Sequence, residues 1–112
     1  MATYTITWNN KTVNVNGLPD TPVRNWHNNF TIKFYHRGKR SFPTLTKTGK
    51  FKAPRRETQI YVNGKYFLQL IWDTTPENEE TIKEIMIYLY CFGCDLEEIQ
   101  RIVKTVFYQN PT

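Results

Sequence analysis

The chain opens on strict alternation. In TYTITW, Tyr4, Ile6 and Trp8 take every second position with Thr3, Thr5 and Thr7 in the series, and KTVNVN repeats the period with Val13 and Val15. A period of two is that of a strand with one face buried. A two-residue turn at Asn9-Asn10 pairs Trp8 with Lys11, Ile6 with Val13 and Tyr4 with Val15, which gathers the apolar residues of both arms on one face. Asn suits both turn positions, because this turn type requires positive φ. Gly17 to Asn29 is a connector of Pro, Asn and Asp character. FTIKFYH then alternates again, with Phe30, Ile32 and Phe34 facing one way and Lys33 and Tyr35 the other. Further on, Thr58 to Val62 and Lys65 to Trp72 predict a second hairpin around Asn63-Gly64, the strongest short turn signal in the chain. Its run YFLQLIW is apolar at both parities, as in a central strand or one with a covered second face.

At Asp73 the period changes to that of a helix. Thr75 can cap it, Pro76 suits its first position, and Glu77, Glu79 and Glu80 suit the positive end of its dipole. Ile82, Ile85, Met86 and Leu89 have core-facing helical spacing, and Gly93 ends the run. Asp95 with Glu98 forms a capping box for a second helix, whose stripe is Leu96, Ile99, Ile102, Val103, Val106 and Phe107 before Asn110 and Pro111 stop it. Strands first and helices last predict an α+β fold. The expected architecture is an antiparallel sheet of about five strands, two hairpins plus one strand, covered on one face by a C-terminal helical hairpin. A length of 112 residues supports one such core, so residues 1–112 are expected to form a single domain.

Charge divides the chain at the same point. Residues 1–72 carry twelve Lys and Arg against Asp20 and Glu57, whereas residues 73–112 carry three against eight acids. A basic β-rich part and an acidic two-helix part imply a bipolar surface with one end suited to polyanions. The basic excess concentrates in RGKRSFPTLTKTGKFKAPRR, from Arg37 to Arg56, where eight of twenty residues are cationic and none is acidic. Composition adds two expectations. Only two Ala against fifteen Thr and ten Asn suggest an AT-rich coding sequence of phage or mobile-element type. The longest apolar stretch, Ile85 to Cys94, is too short for a membrane span, and the N-terminus lacks a signal core, so a soluble cytoplasmic protein is expected.

Four motifs resolve into structural roles. YLYCFGCDLEEIQRIVKTV has helix-turn-helix spacing, but Leu89 stands where that motif needs a small residue. Asp95, Glu97 and Glu98 would also oppose phosphates at the start of its second helix, so an ordinary helical hairpin is the better reading. Cys91-Phe92-Gly93-Cys94 lacks further ligands at finger spacing for zinc, and a thiol at a helix C-terminus is poorly placed for redox work. His27 and His36 have no acid within several residues, so no catalytic residue, metal or cofactor is expected. Gly38, Gly49 and Gly64 are isolated turn residues, not a phosphate loop.

The basic segment is therefore the candidate site. Arg37, Lys39, Arg40, Lys47, Lys50, Lys52, Arg55 and Arg56 can neutralise phosphates and release counterions. Phe42 and Phe51, with Trp26 and Tyr35 outside the segment, can stack on bases or serve as anchors. Arg24, Lys33 and Lys65 can extend the patch over the sheet face away from the helices. The segment is either a loop or an extended hairpin with SFPTLT and GKFKA as arms. The leading expectation is a small non-enzymatic protein that grips the backbone of DNA or RNA with low sequence specificity. The alternative is a protein-binding inhibitor of phage or mobile-element type, anti-CRISPR-like, acting on a nucleic-acid-handling enzyme through aromatics such as Trp26, Tyr35, Tyr61 and Tyr66. Homo-oligomerisation, basic pole to acidic pole, is a third use of the same charge pattern.

Overall fold

A computed structural model of the protein describes residues 1–27, 30–38 and 56–109, together with the backbone of 44–45 and 51–52. Both hairpins close where their turn residues require. Asn9 and Asn10 take φ of 50° and 63°, and Asn63 and Gly64 take 53° and 78°, the paired positive values that match strand twist. The first turn joins β1 (Ala2–Trp8) to β2 (Lys11–Leu18), with Trp8 opposite Lys11, Ile6 opposite Val13 and Tyr4 opposite Val15. This is the register expected from the alternation. On the other face Thr3 meets Asn16, Thr5 meets Asn14 and Thr7 meets Thr12 through their side chains.

The second turn joins β6 (Glu57–Val62) to β7 (Lys65–Leu70), and β3 (Ile32–Arg37) pairs with the far edge of β6. The strand order is β3-β6-β7, antiparallel throughout. The five strands thus divide into a two-stranded and a three-stranded sheet. The connector between the two sheets bonds to a helix end. The Val23 and Arg24 backbone N–H groups both donate to the Cys91 carbonyl, at 2.7 and 3.1 Å. Between β3 and β6, β4 (Thr44–Leu45) pairs with β5 (Phe51–Lys52), so the basic segment contains a short hairpin pairing.

The helices start on the expected caps. Thr75 Oγ1 accepts from the Asn78 N–H at the start of α1 (Pro76–Cys91), and Asp95 Oδ1 accepts from the Glu98 N–H at the start of α2 (Leu96–Phe107). Each cap contributes about 1 kcal/mol. Gly93, at φ 97°, makes the turn between them. Helix α2 ends at Phe107, and the expected stop residues Asn110 and Pro111 lie outside the described residues.

One core joins the elements. Ile82, Ile85, Met86 and Leu89 of α1 and Ile99, Ile102, Val103, Val106 and Phe107 of α2 pack with Ile60, Val62, Leu68 and Leu70 of the sheet and Ile6 of the hairpin. Each such side chain contributes about 1.5–3 kcal/mol by leaving water. Tyr88 stacks on Tyr4 at 3.9 Å and Tyr90 on Phe30 at 4.4 Å. These two tyrosines lie on opposite flanks of the buried stripe of α1, so the hairpin and the entry to β3 grip the helix from its two sides. Trp72 Nε1 donates to the Phe107 carbonyl at 2.7 Å, which satisfies one of the open acceptors in the last turn of α2. Among the described residues no helix is long and apolar enough to cross a membrane.

Candidate nucleic-acid interface

The helices cover one face of the three-stranded sheet. The alternation that buries Ile32 turns Lys33, Tyr35 and Arg37 of β3 to the opposite face, where the register adds Glu57, Gln59 and Tyr61 of β6. On β7, strict alternation would send Tyr66 to the helix side together with Leu68 and Leu70. A bulge prevents this. Tyr61 pairs with Tyr66 but Ile60 pairs with Leu68, which leaves Phe67 as the extra residue. Phe67 enters the core at 6% exposure, and Tyr66 stands outward beside Tyr61 at 57%.

A row of tyrosines results, one from each strand. The Tyr35 and Tyr61 rings meet edge to face at 5.1 Å and 80°, and the Tyr61 and Tyr66 rings at 6.0 Å and 87°. Contacts of this geometry contribute about 0.5–1.5 kcal/mol each beyond their buried area. The central ring is also held by its hydroxyl, which donates to Gln59 Oε1 at 3.2 Å. Gln59 Nε2 in turn donates to Gln69 Oε1 at 3.4 Å, and Gln69 Nε2 donates to Glu57 Oε2. The amides on this face therefore satisfy one another and fix Tyr61, while the outer rings stay open. An open depression of about 750 Å³ lies over the Tyr35–Tyr61 end of the row, with Lys33, Arg37, Gln59 and Asn63 also in its lining, while Tyr66 lines a separate, smaller hollow beside Gln100 and Lys104 of α2.

The cations are arranged around Tyr35. Lys33 and Arg37 stand two residues to either side on the same face, roughly 7 Å away along the strand. Among the described residues neither forms an ion pair. Among the described residues of these strands Glu57 is the acid on this face; it stands opposite Arg37 in the register and accepts from Gln69. The chain leaves β3 at Arg37 into the basic segment and returns at Arg56. Of the other expected site residues, Lys39, Arg40, Phe42, Lys47, Lys50 and Arg55 lie outside the described residues. Phe51 and Lys52 are placed only as the backbone of β5.

The remaining candidates have other engagements. Arg56 Nε is buried, 3.9 Å from Asp73 Oδ2, so this arginine is turned to the protein's own carboxylate. Trp26 lies on the connector with its ring against His27 at 4.4 Å, apart from the tyrosine row. Arg24 Nη1 donates to the Cys94 carbonyl at 2.7 Å, and its guanidinium lies over the Tyr90 ring at 5.0 Å. It supplies the cation that the last turn of α1 lacks. Lys65 pairs with Val62, at the parity of the helix-facing positions. Of the proposed extensions of the patch, Lys33 is the one that belongs to this face.

The structure also assembles a cluster that the sequence hides. His36 follows Phe34 on the helix side of β3, where Nδ1 lies 2.6 Å from Asp73 Oδ1 and Nε2 lies 3.2 Å from Glu79 Oε1. Thr74 Oγ1 donates to the same Glu79 oxygen at 3.3 Å, and the Thr74 N–H donates to buried Thr58 Oγ1 at 2.9 Å. The acids missing from the local sequence of His36 thus arrive from more than thirty residues away. With carboxylates at both ring nitrogens, His36 joins the end of β3 to the start of α1, at the base of the basic segment. In the turn between the helices, Cys94 is buried and Cys91 half-buried, both as free thiols. Burial, reinforced by Glu98, pushes the Cys94 thiol up to about 11. Both cysteines are turn-filling residues, as the spacing implied.

The expectation for nucleic-acid contact drawn from the sequence does not include the amide row, Tyr61 or Tyr66. The signal for Gln59 and Tyr61 was the parity of β6 itself, opposite to that of Ile60 and Val62. Tyr66 had no such signal, because the bulge reverses its parity. No protein-family model matches the chain, and comparisons with curated proteins and with solved structures also gave no match.

Proposed function

We propose that this protein binds nucleic acid without catalysing a reaction on it. Lys33, Arg37 and the basic segment hold the phosphate backbone, and the open sheet face supports the ligand with low sequence specificity. The observation that carries this reading is the pair of cations flanking Tyr35, neither in an ion pair among the described residues, at the point where the chain enters a twenty-residue stretch with eight Lys and Arg and no acid. Among the described residues no helix is available to read bases in a groove. The apolar side of α2 is buried in the core, and its first turn carries Glu97 and Glu98, which repel phosphate. His36, the histidine nearest the face, is occupied by Asp73 and Glu79 as an anchor.

The test is fluorescence anisotropy with labelled oligonucleotides over a range of salt concentrations. Each phosphate contact should contribute about 0.7–0.9 to the slope of log affinity against log salt, so a steep negative slope is expected. Reversing Lys33, Arg37, Lys39 and Arg40 together to Glu should abolish binding. Affinity that ignores both salt and those reversals refutes the proposal. The same tyrosines suit a protein interface, which keeps the inhibitor reading as the alternative. A stoichiometric protein complex that survives nuclease treatment would favour it.

A further inference from the structure

We infer that the ligand of this face is single-stranded nucleic acid, with unpaired bases stacked on Tyr35 and Tyr66 and the intervening strand passing over Tyr61. The inference rests on the nucleic-acid reading above and adds the class of ligand and its path. In a duplex the base planes are covered by neighbouring bases, so an aromatic row has nothing to stack on. In a single strand the planes are free, and ring-on-base stacking is the usual means of sequence-tolerant binding.

Three features of the row fit this use. Tyr35 and Tyr66 are 49% and 57% exposed, although their polar tips do not require such open sites on a sheet. They stand on the outer strands of three, two interstrand spacings across and two residues apart along the strands, or roughly 12 Å between backbones. The ring between them is fixed edge-on to both and tied by its hydroxyl to Gln59, so it serves as a buttress for the outer pair. The amides of Gln59 and Gln69 are bonded to each other and to Glu57, leaving the face poor in free groups for reading base edges. Such a surface distinguishes stacked from unstacked bases better than one base from another. Lys33 and Arg37, to either side of Tyr35, then meet the phosphates flanking the base stacked there.

The experiment compares oligonucleotides of about twenty nucleotides, longer than the ~4–16 occupied by a small domain, as oligo-dT, as oligo-U and as the dT–dA duplex. The full chain is titrated, with Tyr35→Ala, Tyr66→Ala and their Phe counterparts beside it. Both tyrosines are exposed, and unchanged thermal melting verifies that the variants remain folded. Both single strands should bind at least about tenfold more tightly than the duplex, and the relative affinity of dT and U shows whether DNA or RNA is preferred. Each Ala variant should weaken single-strand binding by about fivefold to a hundredfold, with Phe close to wild type and duplex binding unaffected. Equal binding of duplex and single strand, unchanged by either Ala variant yet steeply salt-dependent, overturns this inference and leaves the nucleic-acid reading intact. Absence of binding to all three overturns both. Loss in the Phe variants equal to that in Ala assigns the contact to the hydroxyl and overturns the stacking.

Discussion

Replacing His36 by Ala should loosen the attachment of β3 to α1. The ring approaches Asp73 at 2.6 Å and Glu79 at 3.2 Å, with about 29% of its own side chain exposed and 19% and 21% of theirs. A hydrogen bond to a charged group contributes about 1.5–3 kcal/mol when well enclosed. Partial exposure reduces that figure, because water and salt screen the pair. Truncation also leaves two largely covered carboxylates facing each other. Glu79 keeps the Thr74 hydroxyl and Asp73 keeps the neighbourhood of Arg56, which limits the damage. The balance is a loss of about 1.5–3 kcal/mol, or roughly a tenfold to a hundredfold shift of the unfolding equilibrium. Urea denaturation followed by tryptophan fluorescence is a direct measure, since Trp8 and Trp72 stack on each other at 5.4 Å. The midpoint should fall by about 1 M, at a slope of about 1–3 kcal/mol/M. A cycle through His36→Ala, Glu79→Gln and the double variant should give a coupling of about 0.5–1.5 kcal/mol. A loss below about 0.5 kcal/mol with no coupling refutes the anchor and makes the cluster an incidental surface contact.

Two further outcomes test the turn between the helices. Cys94 should resist iodoacetamide near neutral pH while half-buried Cys91 reacts, because burial and Glu98 hold the Cys94 thiol near 11. The unfolded thiol ionises near 8.5, so the contribution of Cys94 to stability is complete below that value and is lost as pH rises toward about 11. Comparison with Cys94→Ala across that window isolates the effect, and equal alkylation of both thiols contradicts it. Arg24→Ala should cost about 1–2 kcal/mol by uncapping the end of α1 and releasing the connector. Thermal melting should show a fall of about 4–8 °C per kcal/mol, and an unchanged midpoint would show that the contact contributes nothing.

Much of the fold can be read from short-range pattern. The register of Tyr4, Ile6 and Trp8 on Val15, Val13 and Lys11 follows from alternation and from two asparagines able to adopt positive φ. Thr75 and Asp95 cap the helices because each hydroxyl or carboxylate reaches an N–H three residues on, a relation contained in one helical turn. The site was legible only in part. A cationic run is visible in composition, and β3 parity places Tyr35 with Lys33 and Arg37. Trp26 and Arg24 looked equally available in the sequence, yet one lies against His27 and the other caps a helix.

The amino-acid order alone specified where the chain is extended, where it turns, where it coils and where its positive charge gathers. Each depends on neighbours within about one turn of helix or one hairpin, so local sterics and hydrogen bonding suffice. Tertiary packing decided the side of the sheet on which Tyr66 stands, because one extra residue in β7 satisfies the core with Phe67 and shifts the parity beyond it. It also brought Asp73 and Glu79 to His36 and divided the strands between two sheets. Those outcomes depend on which distant surfaces bury the most apolar area together, a competition that no short window of sequence contains.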